Sequence, residues 1–98
     1  MTMRQRFTWD PAKAASNLRK HGISFEEAVR VFTDSMAVTR QDRIENGEQR
    51  WQTIGAVGGF TLLLVAHTFW DDEAGIEVVR IISARRADRK ERRIYENG

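Results

Sequence analysis

Residues 50–69 read RWQTIGAVGGFTLLLVAHTF and residues 76–85 read IEVVRIISAR. The first stretch carries two largely apolar runs on either side of Gly58-Gly59. Glycine takes positive φ at no steric cost, so this pair predicts a two-residue hairpin turn joining strands over Arg50–Val57 and Phe60–Phe69. In that register Val57 faces Phe60, Gln52 lies opposite Val65, Ile54 shares a face with Leu63, and Arg50 lies opposite His67. The second stretch is β-branched through Val78, Val79, Ile81 and Ile82 and predicts another strand over Ile76–Arg85. The connections are too short for helical crossovers, so these strands run antiparallel.

Working outward, Met36–Arg40 is a further candidate strand, and the polar stretch Gln41–Gln49, with its Asn46-Gly47, reads as a loop. Upstream, Ser24-Phe25-Glu26-Glu27 has the form of a capping box. Phe25, Ala28, Val29 and Phe32 follow at helical spacing. Asp10-Pro11 opens an earlier helix over Ala12–Lys20, which Gly22 stops. Phe7-Thr8-Trp9 alternates as a short strand does, and Trp70–Gly75 is a polar loop. Downstream, Asp88 and Glu91 form a second capping box that opens a helix over Arg89–Glu96, anchored by Ile94 and Tyr95. The expected order is β-α-α-β-β-β-β-α. It describes an α+β fold, a small, largely antiparallel sheet flanked by helices, in one domain over residues 1–98.

A chain of 98 residues suits one core, and 41% hydrophobic with 31% charged residues suits a globular one. The absence of cysteine excludes disulfides and thiolate metal sites, and two distant histidines argue against a histidine metal site; no metal and no cofactor are expected. The longest apolar run, Leu62–Ala66, is too short to cross a bilayer, and MTMRQRFTWD lacks the apolar stretch of a secretory signal, so no membrane association is expected. Charge is polarised. Residues 1–79 carry nine Lys+Arg and eleven Asp+Glu, whereas residues 80–98 carry seven and three. Such a basic end suits phosphates, an acidic partner or an anionic surface; it also suits a plain solvated helix face.

The hairpin register would put the Arg50 guanidinium beside the His67 imidazole. That pair suits RNA cleavage, with a base to take a hydroxyl proton and an arginine to neutralise phosphate charge; the alternative is an exposed polar pair at a sheet end. Arg80 interrupts a strand that otherwise reads as buried, so it must reach solvent, a carboxylate or a ligand anion. Arg85 and Arg86 close that strand, and arginine favours two-pronged phosphate binding. Lys20 and His21 end the first helix and serve either as a C-terminal cap or as anion ligands. Arg89, Lys90, Arg92 and Arg93 make the last helix basic enough to track an RNA backbone or receive an acidic partner. No phosphate-binding glycine loop, metal-ligand spacing or nucleophile elbow is present.

Two separated motifs resemble the BrnT toxin family. The opening one is Phe7-Thr8-Trp9-Asp10-Pro11-Ala12-Lys13, then Asn17, Lys20-His21-Gly22, Phe25-Glu26-Glu27-Ala28 and Val31-Phe32. The closing one is Arg80-Ile81-Ile82-Ser83-Ala84-Arg85, then Ala87, Glu91-Arg92 and Tyr95. The resemblance implies a RelE-like fold and a cytoplasmic ribonuclease toxin of a bacterial type II toxin–antitoxin system. Such a toxin arrests growth by metal-independent endonucleolytic cleavage of RNA. Its partner would be a BrnA-like antitoxin, and operator DNA would be reached only through the antitoxin complex. Arg80 and Arg85 are carried directly from the closing motif; together with His67 and Arg50, which rest on the hairpin pairing, they are the expected catalytic residues, and Lys20, His21, Arg86, Arg89, Lys90, Arg92 and Arg93 are expected to bind RNA. Two other readings fit the same residues: a non-catalytic RNA- or protein-binding module, and a catalytically inactive homologue acting in autoregulation.

Overall fold

The computed structural model describes residues 4–98; residues 1–3, which belong to the N-terminal stretch and the single domain read above, lie outside the described residues. Strand β1 spans Gln5–Thr8, followed by helix α1, Pro11–His21. The Asp10 carboxylate caps α1 by accepting from the Ala12 N–H at 2.8 Å, and Pro11 occupies the first helical position, where its missing N–H costs nothing. Helix α2, Phe25–Val29, is capped by the Ser24 hydroxyl, which accepts from the Glu27 N–H, and tightens into a 3-10 turn over Arg30–Thr33. Four strands follow: β2 (Val38–Glu45), β3 (Glu48–Val57), β4 (Thr61–Asp71) and β5 (Glu77–Arg86). Helix α3, Arg89–Asn97, closes the chain, and the Asp88–Glu91 capping box is complete in both directions.

The strands form one sheet in the order β1-β5-β4-β3-β2. Only β1 runs parallel to its neighbour, β5; the other pairs are antiparallel. This is the expected α+β class with broadly the expected order, the 3-10 turn being an addition. Three strands run longer than the sequence suggests: β3 starts at Glu48 rather than Arg50, β4 continues through Trp70 and Asp71 of the supposed Trp70–Gly75 loop, and β2 is extended most. The segment Gln41–Glu45, read as loop, belongs to β2, and the turn is confined to Asn46-Gly47, both at positive φ. As the edge strand, β2 exposes most of its residues to water, so it lacks the apolar alternation that marks a half-buried strand.

The hairpin register differs by one residue from the expected one. Val57 pairs with Thr61, Ile54 with Leu64, Gln52 with Ala66, and Trp51, not Arg50, with His67. Phe60 belongs to a three-residue loop with Gly58 and Gly59, and its side chain is 92% exposed. The helices decide this register. Gly55 pairs with Leu63 beneath the 3-10 turn, where a Cβ on Gly55 would meet Val31 Cγ1 at 2.7 Å. The observed pairing sets Val57, Leu63 and Val65 on that one face, where they join Val79, Ile81 and Ala84 against Phe25, Ala28 and Val31. A two-residue turn would divide them between faces.

Buried Asn17 ties α1 to the sheet. Its amide nitrogen donates to the Ile23 and Ala84 carbonyls at 3.0 and 2.8 Å, and its oxygen accepts from the Ala84 N–H at 3.1 Å. The opposite sheet face carries buried Ile54, Leu62 and Leu64. Helix α3 lies over it at the hairpin-tip end, where Ala56, Leu62, Arg92 and Tyr95 line a shared hollow. The Tyr95 hydroxyl donates to Asp34 Oδ2 at 2.7 Å, and the Ala56 N–H donates to the same oxygen at 2.8 Å. Burial works to raise the Asp34 pKa, but the bonds from Ala56, Tyr95 and Met36 outweigh it and hold the group below the ordinary aspartate value.

Candidate active site

The site is built on the sheet face that α1 and α2 leave uncovered. One step beyond the Trp51–His67 pair, the register sets Arg50 of β3 beside Thr68 of β4, and Thr68 pairs with Arg80 of β5. Laterally adjacent residues share a face, so the two arginines flank Thr68 on backbones roughly 10 Å apart. The β2–β3 turn brings in two carboxylates: Arg80 Nη2 donates to Glu48 Oε1, and Arg50 Nη1 lies 3.5 Å from Glu45 Oε2. β1 ends at Thr8, opposite Arg80, leaving the edge of β5 beyond it open. The start of α1 fills that edge with Asp10 and Lys13. A cavity of about 300 Å³ results, lined by Asp10, Lys13, Asn46, Glu48, Arg50, Arg80, Ile81 and Ile82. It is at the small end of the range for ligand clefts.

Two features prepare this face for an anion. Arg50 Nε and Thr68 Oγ1 are buried, and neither has a hydrogen-bond partner among the described residues. Buried polar atoms are seldom left unpaired, and an acceptor-rich ligand would complete the Arg50 group. The Arg80–Glu48 pair is 40% exposed on both sides, so it contributes at most about 1 kcal/mol and yields readily to a competing phosphate.

His67 stands apart from this group. It lies on the helix-facing side, 2% exposed, edge-on to Phe32 with ring centroids 5.0 Å apart. Its Nε2 is 2.7 Å from Thr53 Oγ1, which is 2.8 Å from Thr39 Oγ1. Burial pushes its pKa down to about 4, so the ring is neutral near pH 7. The expected pairing of Arg50 with His67 is therefore corrected: with a three-residue turn the two point to opposite faces.

Arg80 and Arg85 share a face because β5 bulges at Ile82, between the Ile81–His67 and Ser83–Ala66 pairs. Even so, Arg85 sits farther along the strand and has another partner. Its two terminal nitrogens donate to the two Glu91 oxygens, each at 2.8 Å. This fork lowers the Glu91 pKa, raises that of Arg85, and locks the capping box of α3. Arg86 is exposed at the end of β5. Lys20 and His21 line a separate hollow with Lys13, Ser16, Asn17, Ile82 and Ser83. Arg89, Lys90, Arg92 and Arg93 are exposed on α3.

The structure thus joins Arg50 and Arg80 and adds Lys13, Glu45 and Glu48, which the sequence reading passed over. Glu48 lay inside the supposed loop, and only Asn46-Gly47, a strong hairpin signal, could have exposed it. Among the described residues no three His, Asp or Glu side chains cluster as metal ligands, and no helix is long and apolar enough to cross a membrane.

Comparison with known proteins gives two findings and one blank. No curated protein matches the chain. Among solved structures, the fold is similar to the 1.1 Å crystal structure of the Brucella abortus ribonuclease toxin BrnT, with a TM-score of 0.59 and 22% sequence identity over 90% of this chain and all of that one. Residues 9–91 match the family model described as the ribonuclease toxin BrnT of type II toxin–antitoxin systems. With most of its length inside that match, the chain belongs to the BrnT family of ribonuclease toxins.

Proposed function

We propose that this chain is an endoribonuclease that cuts RNA without a metal ion, with the cavity of Lys13, Glu48, Arg50 and Arg80 as its catalytic site. The observation that carries the reading is the convergence of three cations and two carboxylates in one small cleft, where Asp10 is committed to capping α1 and Glu48 is left to act on a substrate. In this mechanism the substrate's 2′-hydroxyl oxygen attacks the adjacent phosphorus while Glu48 takes the hydroxyl proton. Arg50 and Arg80 face the charge that grows on the phosphate. The bond to the 5′-oxygen breaks, Lys13 gives that oxygen a proton, and the products are a 2′,3′-cyclic phosphate and a free 5′-hydroxyl. His67 has no part in these steps. Membership of a type II system implies an antitoxin partner; we assign it to the BrnA-like class and place the pair in the cytoplasm, reaching operator DNA through the antitoxin.

Purified protein incubated with defined RNA, with and without EDTA, tests this. Cleavage should survive chelation and leave cyclic-phosphate ends, and Glu48→Gln should lower the rate roughly 10²- to 10⁴-fold. Activity lost to EDTA and restored by Mg²⁺ would overturn the metal-free mechanism. Tight RNA binding by folded protein with no cleavage would favour a non-catalytic module.

A further inference from the structure

The cleft described above is not isolated. A second hollow of about 190 Å³ lies along α1, lined by Lys13, Ser16, Asn17, Lys20, His21, Ile82 and Ser83. Lys13 and Ile82 line both. Three observations give this second hollow a polarity. Lys13, Ser16 and Lys20 recur at helical spacing on one exposed face of α1, so their side chains form a single row. Lys20 and His21, in the basic last turn of α1, line the hollow, and no acid lies in the first turn of that helix. Asn17, the one buried member, spends its amide on Ile23 and Ala84, which fixes the floor of the hollow against β5.

We infer that this row is the path of the RNA strand beyond the scissile phosphate: Lys13 serves the cleft and the track together, and Lys20 takes the phosphate of a flanking nucleotide. The ends of the row are roughly 10 Å apart along the helix axis, too far for one phosphate group to touch both. A polyanion laid over the row meets two lysines, one hydroxyl and an imidazole, with the bulged backbone of β5 at Ile82 and Ser83 as its wall. The bulge therefore has two effects. It sets Arg85 on the same face as Arg80, and it leaves Ile82 at the unpaired edge of β5, in the linings of both hollows. The inference rests on the proposed ribonuclease reading only for where the track begins.

The test measures binding apart from cleavage. Fluorescence anisotropy with 2′-O-methyl RNA, which lacks the attacking hydroxyl, compares a random-sequence hexamer with dinucleotides. Wild-type protein should bind the hexamer more tightly. Lys20→Gln should weaken hexamer binding roughly fivefold, the size of one exposed charge contact, and should reduce the salt slope by about 0.7. Ser16→Glu, which sets a charge of the same sign as the RNA phosphates in the row, should weaken it further. Arg19→Gln removes the same charge from the same turn outside the hollow and should bind as wild type does. Hexamer affinity unchanged in Lys20→Gln and Ser16→Glu overturns the track, as does an equal loss in Arg19→Gln. If those variants leave RNA binding intact but weaken antitoxin binding, the row belongs to the protein partner and the inference fails. Length-dependent binding lost in Lys20→Gln, in a wild-type protein that cleaves no RNA, would uphold the track and overturn the proposed activity instead.

Discussion

At the scale of single residues, Arg80 and Arg85, two of the three arginines of β5, differ in what they hold. Arg80 faces a cleft through a half-exposed pair with Glu48 that adds little to stability. Lysine at this position keeps the charge but loses the planar fork that grips two phosphate oxygens. Arg80→Lys should therefore lower cleavage roughly ten- to a thousandfold, the range seen on removing one transition-state donor, while Tm stays within a few degrees. A large fall in Tm with unchanged activity per folded molecule would make Arg80 scaffold. His67 carries the opposite expectation. Its folded pKa of about 4 lies below the ordinary 6.5, so between those values the unfolded chain takes up a proton that the native state refuses. The stability linked to His67 is complete above pH 6.5 and falls by up to about 3 kcal/mol as pH drops to 4. Tm measured from pH 7 to 4.5 should slope steeply in wild type and much less in His67→Phe. An equal slope in both would show that the ring does not carry the effect.

At the scale of elements, the joints between helices and sheet set stability, and α3 offers a surface. Asn17→Leu would leave the Ala84 N–H and two carbonyls unpaired in a buried place. The expected cost is about 3 kcal/mol, roughly 12–24 °C in Tm for a domain of this size, as thermal melts would show. A change of only a few degrees would mean that water replaces the amide without penalty. In α3, Glu91 faces inward to Arg85 while Arg89, Lys90, Arg92 and Arg93 stay exposed. Changing those four to Gln should spare folding, weaken binding to RNA or the antitoxin, and flatten its salt dependence, since fewer counterions are released. Affinity and salt slope unchanged for both ligands would make this a solvated face.

At the scale of the whole molecule, the cleft exists only because distant segments meet. Arg50 and Arg80 come from strands separated by β4, Glu48 from the first residue of β3 beside the β2–β3 turn, and Lys13 from a helix that begins where β1 ends. The elements themselves were legible in the chain. Asp10-Pro11, Ser24 with Glu27, and Asp88 with Glu91 mark helix starts, and β-branched runs mark strands, because caps and periodicity are local physics acting over a few residues. The antiparallel α+β class follows from those elements and their short connections. What the sequence left open was the choice between two- and three-residue turns at Gly58-Gly59, since either satisfies the glycines. Tertiary structure made that choice: the helices need Gly55, Leu63 and Val65 on one face to admit Val31 and close the core. The same one-residue step buried His67 and turned Arg50 toward Arg80, because in a pleated sheet a shift of one residue exchanges the faces of every side chain.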